Sequence, residues 1–137
     1  MPSDVQELGR TVKRLQHRNH RRLDARLAEI GTTLAQWDAL RTIDENPGAS
    51  AHVLAEHSFQ TDQSFGALAT RLIEKGLIDR RPGKGRALVH SLTEEGRLMF
   101  ERGNAVAAQV GAASFAALTE PERRQLFDLL QKTLGAA

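Results

Sequence analysis

Residues 80–92 read RRPGKGRALVHSL. The first seven hold four cations (Arg80, Arg81, Lys84 and Arg86), no acid, one proline and two glycines. A β-prone run, ALVHSL (87–92), follows directly, and another, LIDRR (77–81), leads in. The five residues between them, PGKGR, have the length and glycine content of a hairpin loop. This cationic hairpin decides the fold, because the chain on either side of it is patterned as helix.

Immediately upstream, residues 61–75 carry the cleanest helical signal. Phe65, Leu68, Ala69, Leu72 and Ile73 fall at i, i+3, i+4, i+7 and i+8. Thr61 is placed to cap the start, and Gly76 closes the segment. The opposite face holds Asp62, Gln63, Ser64, Gly66, Ala67, Thr70, Arg71 and Glu74. These side chains are mostly small or hydrogen-bonding, unlike the Lys/Glu mixture of a plainly solvated face.

Further upstream, Ser50 can cap a short helix carrying Val53, Leu54 and Ala55. ENPG (45–48) is a turn, since proline presets φ and glycine follows. Thr33 with Gln36 forms a capping-box pattern, and Leu34, Trp37, Leu40 and Ile43 mark one face of the helix it opens. Residues 4–30 form one long helix with a stripe of Val5, Leu8, Val12, Leu15, Leu23, Leu27 and Ile30. Asn19 and Arg22 interrupt that stripe, and Gly31 ends the helix. Downstream of the hairpin, Thr93 starts a helix through TEEGRLMFERGNAVAAQVGAAS, whose alanines and glycines allow neighbouring backbones to approach closely. Thr119 with Glu122 is a second capping box, with Pro121 in the first turn. The last helix carries Leu126, Phe127, Leu129, Leu130 and Leu134.

Three short helices followed by a hairpin are the pattern of a winged helix-turn-helix. The predicted fold is therefore mainly α with a small β-hairpin wing. Residues 33–92 make the winged helix-turn-helix region. Residues 1–32 and 93–137 make a helical region too apolar to stand alone, expected to pack together and across a twofold axis as a dimerisation domain.

Composition narrows the function. A chain of 137 residues suits one domain, with 40% hydrophobic and 26% charged residues in the ordinary globular range. No apolar run approaches the roughly 20 residues of a membrane span. MPSDVQELGR, at the N-terminus, lacks the apolar core of a signal peptide. With no cysteine there is no disulfide, thiolate zinc site or thiol switch. A cytoplasmic location, no membrane partner and no cofactor are expected. Net charge is only +2, so any nucleic-acid affinity depends on where the cations sit. No glycine-rich phosphate loop or paired acid cluster suggests an enzyme. Aromatics are 4% of the chain, with none among the hairpin cations, which disfavours single-strand binding. A winged-helix module that binds protein would need an apolar outward face on residues 61–75, and the pattern there has none.

Three segments, LAQWDALRTI (34–43), LATRLIEKGLIDRRP (68–82) and LTEEGR (92–97), resemble the MarR family of winged-helix transcription regulators. Taken in this order they are a fairly specific signal, and the resemblance covers nearly the whole chain. The resemblance implies a dimer on a pseudo-palindromic double-stranded operator, with one helix per subunit in the major groove and the wing at the minor groove. It also implies a repressor relieved by a small phenolic or otherwise anionic effector. The candidate DNA contacts are Ser50, Thr61, Gln63, Ser64, Thr70, Arg71, Arg80, Arg81, Lys84 and Arg86. Gln63 can pair with adenine and Arg71 with guanine, or either can simply contact phosphate, while Thr61 can serve as cap and phosphate donor together. Arg80 and Arg81 point to opposite faces, so one of them reaches DNA. Arg86 matches the family's wing arginine. Lys84 and Gly85 stand where relatives carry a bracing aspartate, and the tip is shortened.

Trp37 reads either as a core anchor or as the wall of an effector pocket. His17 and His20 are candidate effector contacts. With Asp24 they share one side of a helix, a spacing that could hold a metal, but the surrounding cations of HRNHRR disfavour a divalent ion. A solvated or DNA-adjacent face is the expectation there.

Overall fold

The computed structural model describes residues 4–83, 85 and 88–135. Helix α1 (Val5–Glu29) starts where the Asp4 carboxylate accepts the Gln6 N–H at 2.8 Å. It stops before Gly31, which takes φ 87. Helices α2 (Leu34–Glu45), α3 (Ala51–His57) and α4 (Asp62–Glu74) each open on a hydroxyl. Thr33, Ser50 and Thr61 accept the N–H of Gln36, Val53 and Ser64. Each such cap stabilises its helix by about 1 kcal/mol, which is why these starts are legible in sequence. Strands β1 (Ile78–Pro82) and β2 (Leu88–Leu92) pair antiparallel, Ile78 opposite Leu92 and Pro82 opposite Leu88. Helix α5 (Glu94–Ser114) begins at the Thr93 cap, and α6 (Glu120–Leu134) at Thr119.

Two expectations shift. β1 begins one residue later than the pattern suggests, because the Leu77 N–H donates to the Leu72 carbonyl at 3.0 Å and finishes α4. The capping box at Thr33 is half formed. Its hydroxyl accepts from Gln36 N–H, but the Gln36 side chain is buried and turns away to the Thr32 hydroxyl and to Lys75 Nζ at 2.8 Å. Lys75 also donates to the Gly31 carbonyl at 3.0 Å, so one ammonium ties the end of α4 to the α1–α2 junction. The box at Thr119 and Glu122 forms in full.

One core lies inside the helix-turn-helix. Leu40, Ile43, Leu54, Phe65, Ala69, Leu72 and Ile78 are buried together, with Leu92 and Met99 against them. A second, smaller core joins Leu27 of α1, Trp37 of α2, and Val106 and Val110 of α5. Phe100 packs against both. Close approach is built into α5. A Cβ on Gly96 would sit 1.9 Å from the Leu77 carbonyl oxygen, and one on Gly103 would sit 2.2 Å from the Trp37 indole. The outer helices differ. Leu27 is the only buried residue of α1, and α6 buries none. Val5, Leu8, Val12, Phe127, Leu129, Leu130 and Leu134 stay exposed. Among the described residues no helix is long and apolar enough to cross a membrane.

Candidate nucleic-acid interface

The apolar stripe of α4 fixes which way the helix faces. With Phe65, Ala69 and Leu72 buried, Asp62, Gln63, Ser64, Ala67, Thr70, Arg71 and Glu74 are turned to solvent. Ser50, at the start of α3, is half-buried. Part of this set is committed to holding the backbone. Ser50 Oγ accepts from Val53 N–H at 3.2 Å, and Thr61 Oγ1 accepts from Ser64 N–H at 3.0 Å. Both hydroxyls keep their own proton free to donate. Thr70 donates to the Gly66 carbonyl at 3.0 Å and retains acceptor capacity only. Gln63 and Arg71 make no side-chain hydrogen bond among the described residues and are free to reach outward.

The hairpin lies beside this face. A hollow of about 350 Å³ is lined by Ser50, Ala51 and His52 of the α3 end, Phe65, Gly66 and Ala69 of α4, and Arg80, Leu88 and His90 of the hairpin. The register settles which arginine looks this way. Arg80 pairs with His90 and Arg81 with Val89. His90 is buried edge-on against Phe65, ring centroids 6.0 Å apart, so Arg80 stands on the α4 side. Arg81 points to the other face, 3.7 Å from Asp79, with its side chain 78% exposed. Burial first and the Arg80 charge second hold the His90 imidazole below its usual pKa. The lowered pKa favours the neutral imidazole at physiological pH, and its buried Nδ1 has no partner among the described residues. Lys84 and Arg86, at the hairpin tip, lie outside the described residues.

Sequence reasoning missed a clasp across the helix-turn-helix. His52 Nδ1 lies 2.9 Å from Asp62 Oδ1, and its Nε2 lies 2.7 Å from Glu56 Oε1. Both ring nitrogens face carboxylates, which only the imidazolium satisfies, since it donates twice. The hydrogen bond to Asp62, then the Asp62 and Glu56 charges, push the His52 pKa up. The Glu56 half of the clasp was visible as an i, i+4 pair. The Asp62 half depends on the turn that brings α4 back against α3.

The candidate effector residues separate. Trp37 is buried, its indole N–H donates to the Phe100 carbonyl at 3.3 Å, and the Arg41 guanidinium stacks 4.8 Å from its ring centroid. Its packing is that of a core anchor. Asp24 accepts the Leu34 N–H at 2.8 Å, which commits it to the start of α2. No group of acids and histidines suited to a metal occurs among the described residues. His17 and His20 are both exposed. His17 lines a groove of about 1050 Å³ along α1 together with Lys13, Arg14, Arg18, Arg21 and Arg22, whereas His20 does not.

Comparison with known proteins agrees with this geometry. A family model described as the MarR family matches residues 30–87. The helix-turn-helix transcriptional repressor Rv2887 of Mycobacterium tuberculosis is 32% identical over 112 residues, covering 80% of this chain and 81% of the relative. The crystal structure of Rv2887 with DNA superposes with a TM-score of 0.80 at 28% identity, covering 92% of this chain and 96% of the other. Its complex with salicylic acid gives a TM-score of 0.77 at 30% identity, covering 92% and 95%. The chain belongs to the MarR family of winged helix-turn-helix regulators.

Proposed function

We propose that the protein is a dimeric, sequence-specific DNA-binding regulator that represses transcription and is relieved by a small anionic ligand. Residues 33–92 grip DNA, and residues 1–32 and 93–137 form the dimer. What carries this is the shared hollow, in which the start of α3, Gly66 at the edge of the outward face of α4, and the Arg80 side of the hairpin meet. The DNA complex of Rv2887, which shares this fold, supports DNA as the partner.

The chemistry follows from the side chains. Gly66 and Ala67 keep the α4 face low, so the helix can sit deep in a major groove about 12 Å wide. Gln63 reads adenine and Arg71 reads guanine through paired hydrogen bonds. Ser50 and Thr61 donate hydroxyl protons to phosphates, Ser64 adds a short polar contact, and Thr70 can accept from a base N–H. Arg80 contributes charge on the α4 side. Lys84 and Arg86 at the tip approach the minor groove, where the potential is most negative. Arg81 supports the wing from its other face. Two subunits are needed because one α4 covers only half a site, and the exposed apolar residues of α1 and α6 supply the seam. A regulator of this kind works in the cytoplasm, where the DNA is.

An aromatic acid suits the α1 groove, whose cations meet a carboxylate while Leu15 and Ala25 meet a ring. His17 takes part there. His20 is left to solvent, and Trp37 serves as a core anchor with Leu27, Val106 and Val110. The salicylic acid complex of Rv2887 supports an effector of that chemistry. Binding selection from a random duplex pool, with the full chain, tests the proposal. Enrichment of a twofold-symmetric site with half-sites about 10 base pairs apart is expected. No enrichment, or an asymmetric site, would refute it.

A further inference from the structure

Among the described residues, every turn that takes a left-handed residue uses glycine, with one exception. Gly31, Gly48, Gly76, Gly85 and Gly135 take φ between 72 and 87. Between α3 and α4 the residue is Phe59, at φ 57. A side chain in that region strains the backbone, and glycine would not. The ring recovers nothing from the fold, since Phe59 is 98% exposed. Nor does the turn need it. Phe59 N–H donates to Glu56 O at 3.2 Å, Gln60 N–H to Ala55 O at 2.8 Å, and Ser58 Oγ to Leu54 O at 2.8 Å. All of these bonds are available to glycine at position 59. A strained backbone and a solvated aromatic ring at one residue point to a task outside the protomer.

Its position limits the task. Phe59 stands two residues before the Thr61 cap and four before Gln63, at the end of α4 that meets base edges first in a helix-turn-helix. Its neighbours in the turn, Glu56, His57, Gln60 and Thr61, are polar, so no continuous apolar patch surrounds it for a protein partner. One ring amid hydrogen-bonding groups fits a single methyl group on an otherwise polar floor. We propose that Phe59 is a specificity-determining contact that packs on the C5-methyl of a thymine in the major groove. This rests on the reading that α4 enters that groove.

The test uses the full chain and the duplex enriched by selection. Each thymine is replaced in turn by deoxyuracil, which removes only the methyl group. Wild type, Phe59→Gly and Phe59→Leu are compared for affinity and melting temperature. Phe59→Gly is expected to melt no lower than wild type yet bind about fourfold more weakly, the worth of one buried methyl. One deoxyuracil position per half-site should weaken wild type by a similar factor and leave Phe59→Gly unaffected, with Phe59→Leu between. Unchanged affinity in Phe59→Gly would overturn the inference and leave the ring to a protein partner. An equal loss on every duplex, with no thymine dependence, would overturn it too. Failure of wild type to enrich any duplex would instead remove the underlying reading, before any variant is made.

Discussion

Helices α4 and α6 carry the same kind of pattern and meet opposite fates. Both have apolar residues at helical spacing, a threonine cap and an acid in the first turn. In α4 the stripe is buried, Phe65 and Leu72 at 1% and 0% exposed. In α6 it lies open, Phe127 and Leu134 at 60% and 80%. The difference is one of partners. Helices α2, α3, α5 and the hairpin surround α4, closing a core within one chain. Among the described residues nothing covers the apolar faces of α6 or the first turns of α1. Amphipathicity therefore says that a face will be covered, not what covers it. A second copy of the chain is the cover proposed here.

The comparison breaks most sharply at the open seam. Paired Phe127→Glu and Leu130→Glu changes would place uncompensated carboxylates between the subunits. The dimer dissociation constant should rise at least roughly 100-fold, about 3 kcal/mol, read by sedimentation, and operator binding should fall with it. A variant that stays dimeric would show the seam lies elsewhere. Next comes the closed core. Leu72→Ala should cost about 3 kcal/mol of stability, as a denaturant-midpoint shift that stays constant across protein concentrations. Phe127→Ala should cost about 2 kcal/mol only where the dimer is populated. Equal concentration dependence for both would erase the distinction.

The smallest expected effect lies at the His52 clasp. Its folded pKa is raised, so its stabilising contribution is complete below the ordinary value near 6.5 and is lost as pH rises through the folded pKa. Proton loss also leaves Asp62 at the start of α4 and Glu56 on α3 unneutralised, where on the proposed DNA-facing surface they would repel phosphates. Operator affinity should therefore fall by about twofold per subunit on going from pH 6 to pH 8.5. His52→Gln should flatten that step. A step of the same size in the variant would assign it to a group other than His52.

Much of this was written locally. Thr33, Ser50, Thr61, Thr93 and Thr119 announce their helices because a cap is a bond to a residue three positions on. The alternation of β1 separates Arg80 from Arg81, but only the pairing of Arg80 with His90, and His90 packing on Phe65, decides which of them faces α4. Gln36 looked like a capping residue until Lys75, distant in sequence, claimed its side chain. Asp62 meeting His52 and the Phe100 carbonyl meeting Trp37 were hidden for the same reason. Phe59 was also invisible, since a positive φ at a bulky residue is imposed by the turn and leaves no periodic trace.

The salt dependence of affinity for the selected duplex tests the central claim most directly, compared between wild type and Arg80→Ala. If a dimer neutralises about eight phosphates, log affinity should fall with log salt at a slope near −7. Losing one cation per subunit should make that slope shallower by about 2. A slope near zero in wild type, or one that Arg80→Ala leaves unchanged, would contradict a surface in which α4 and the hairpin grip the duplex together.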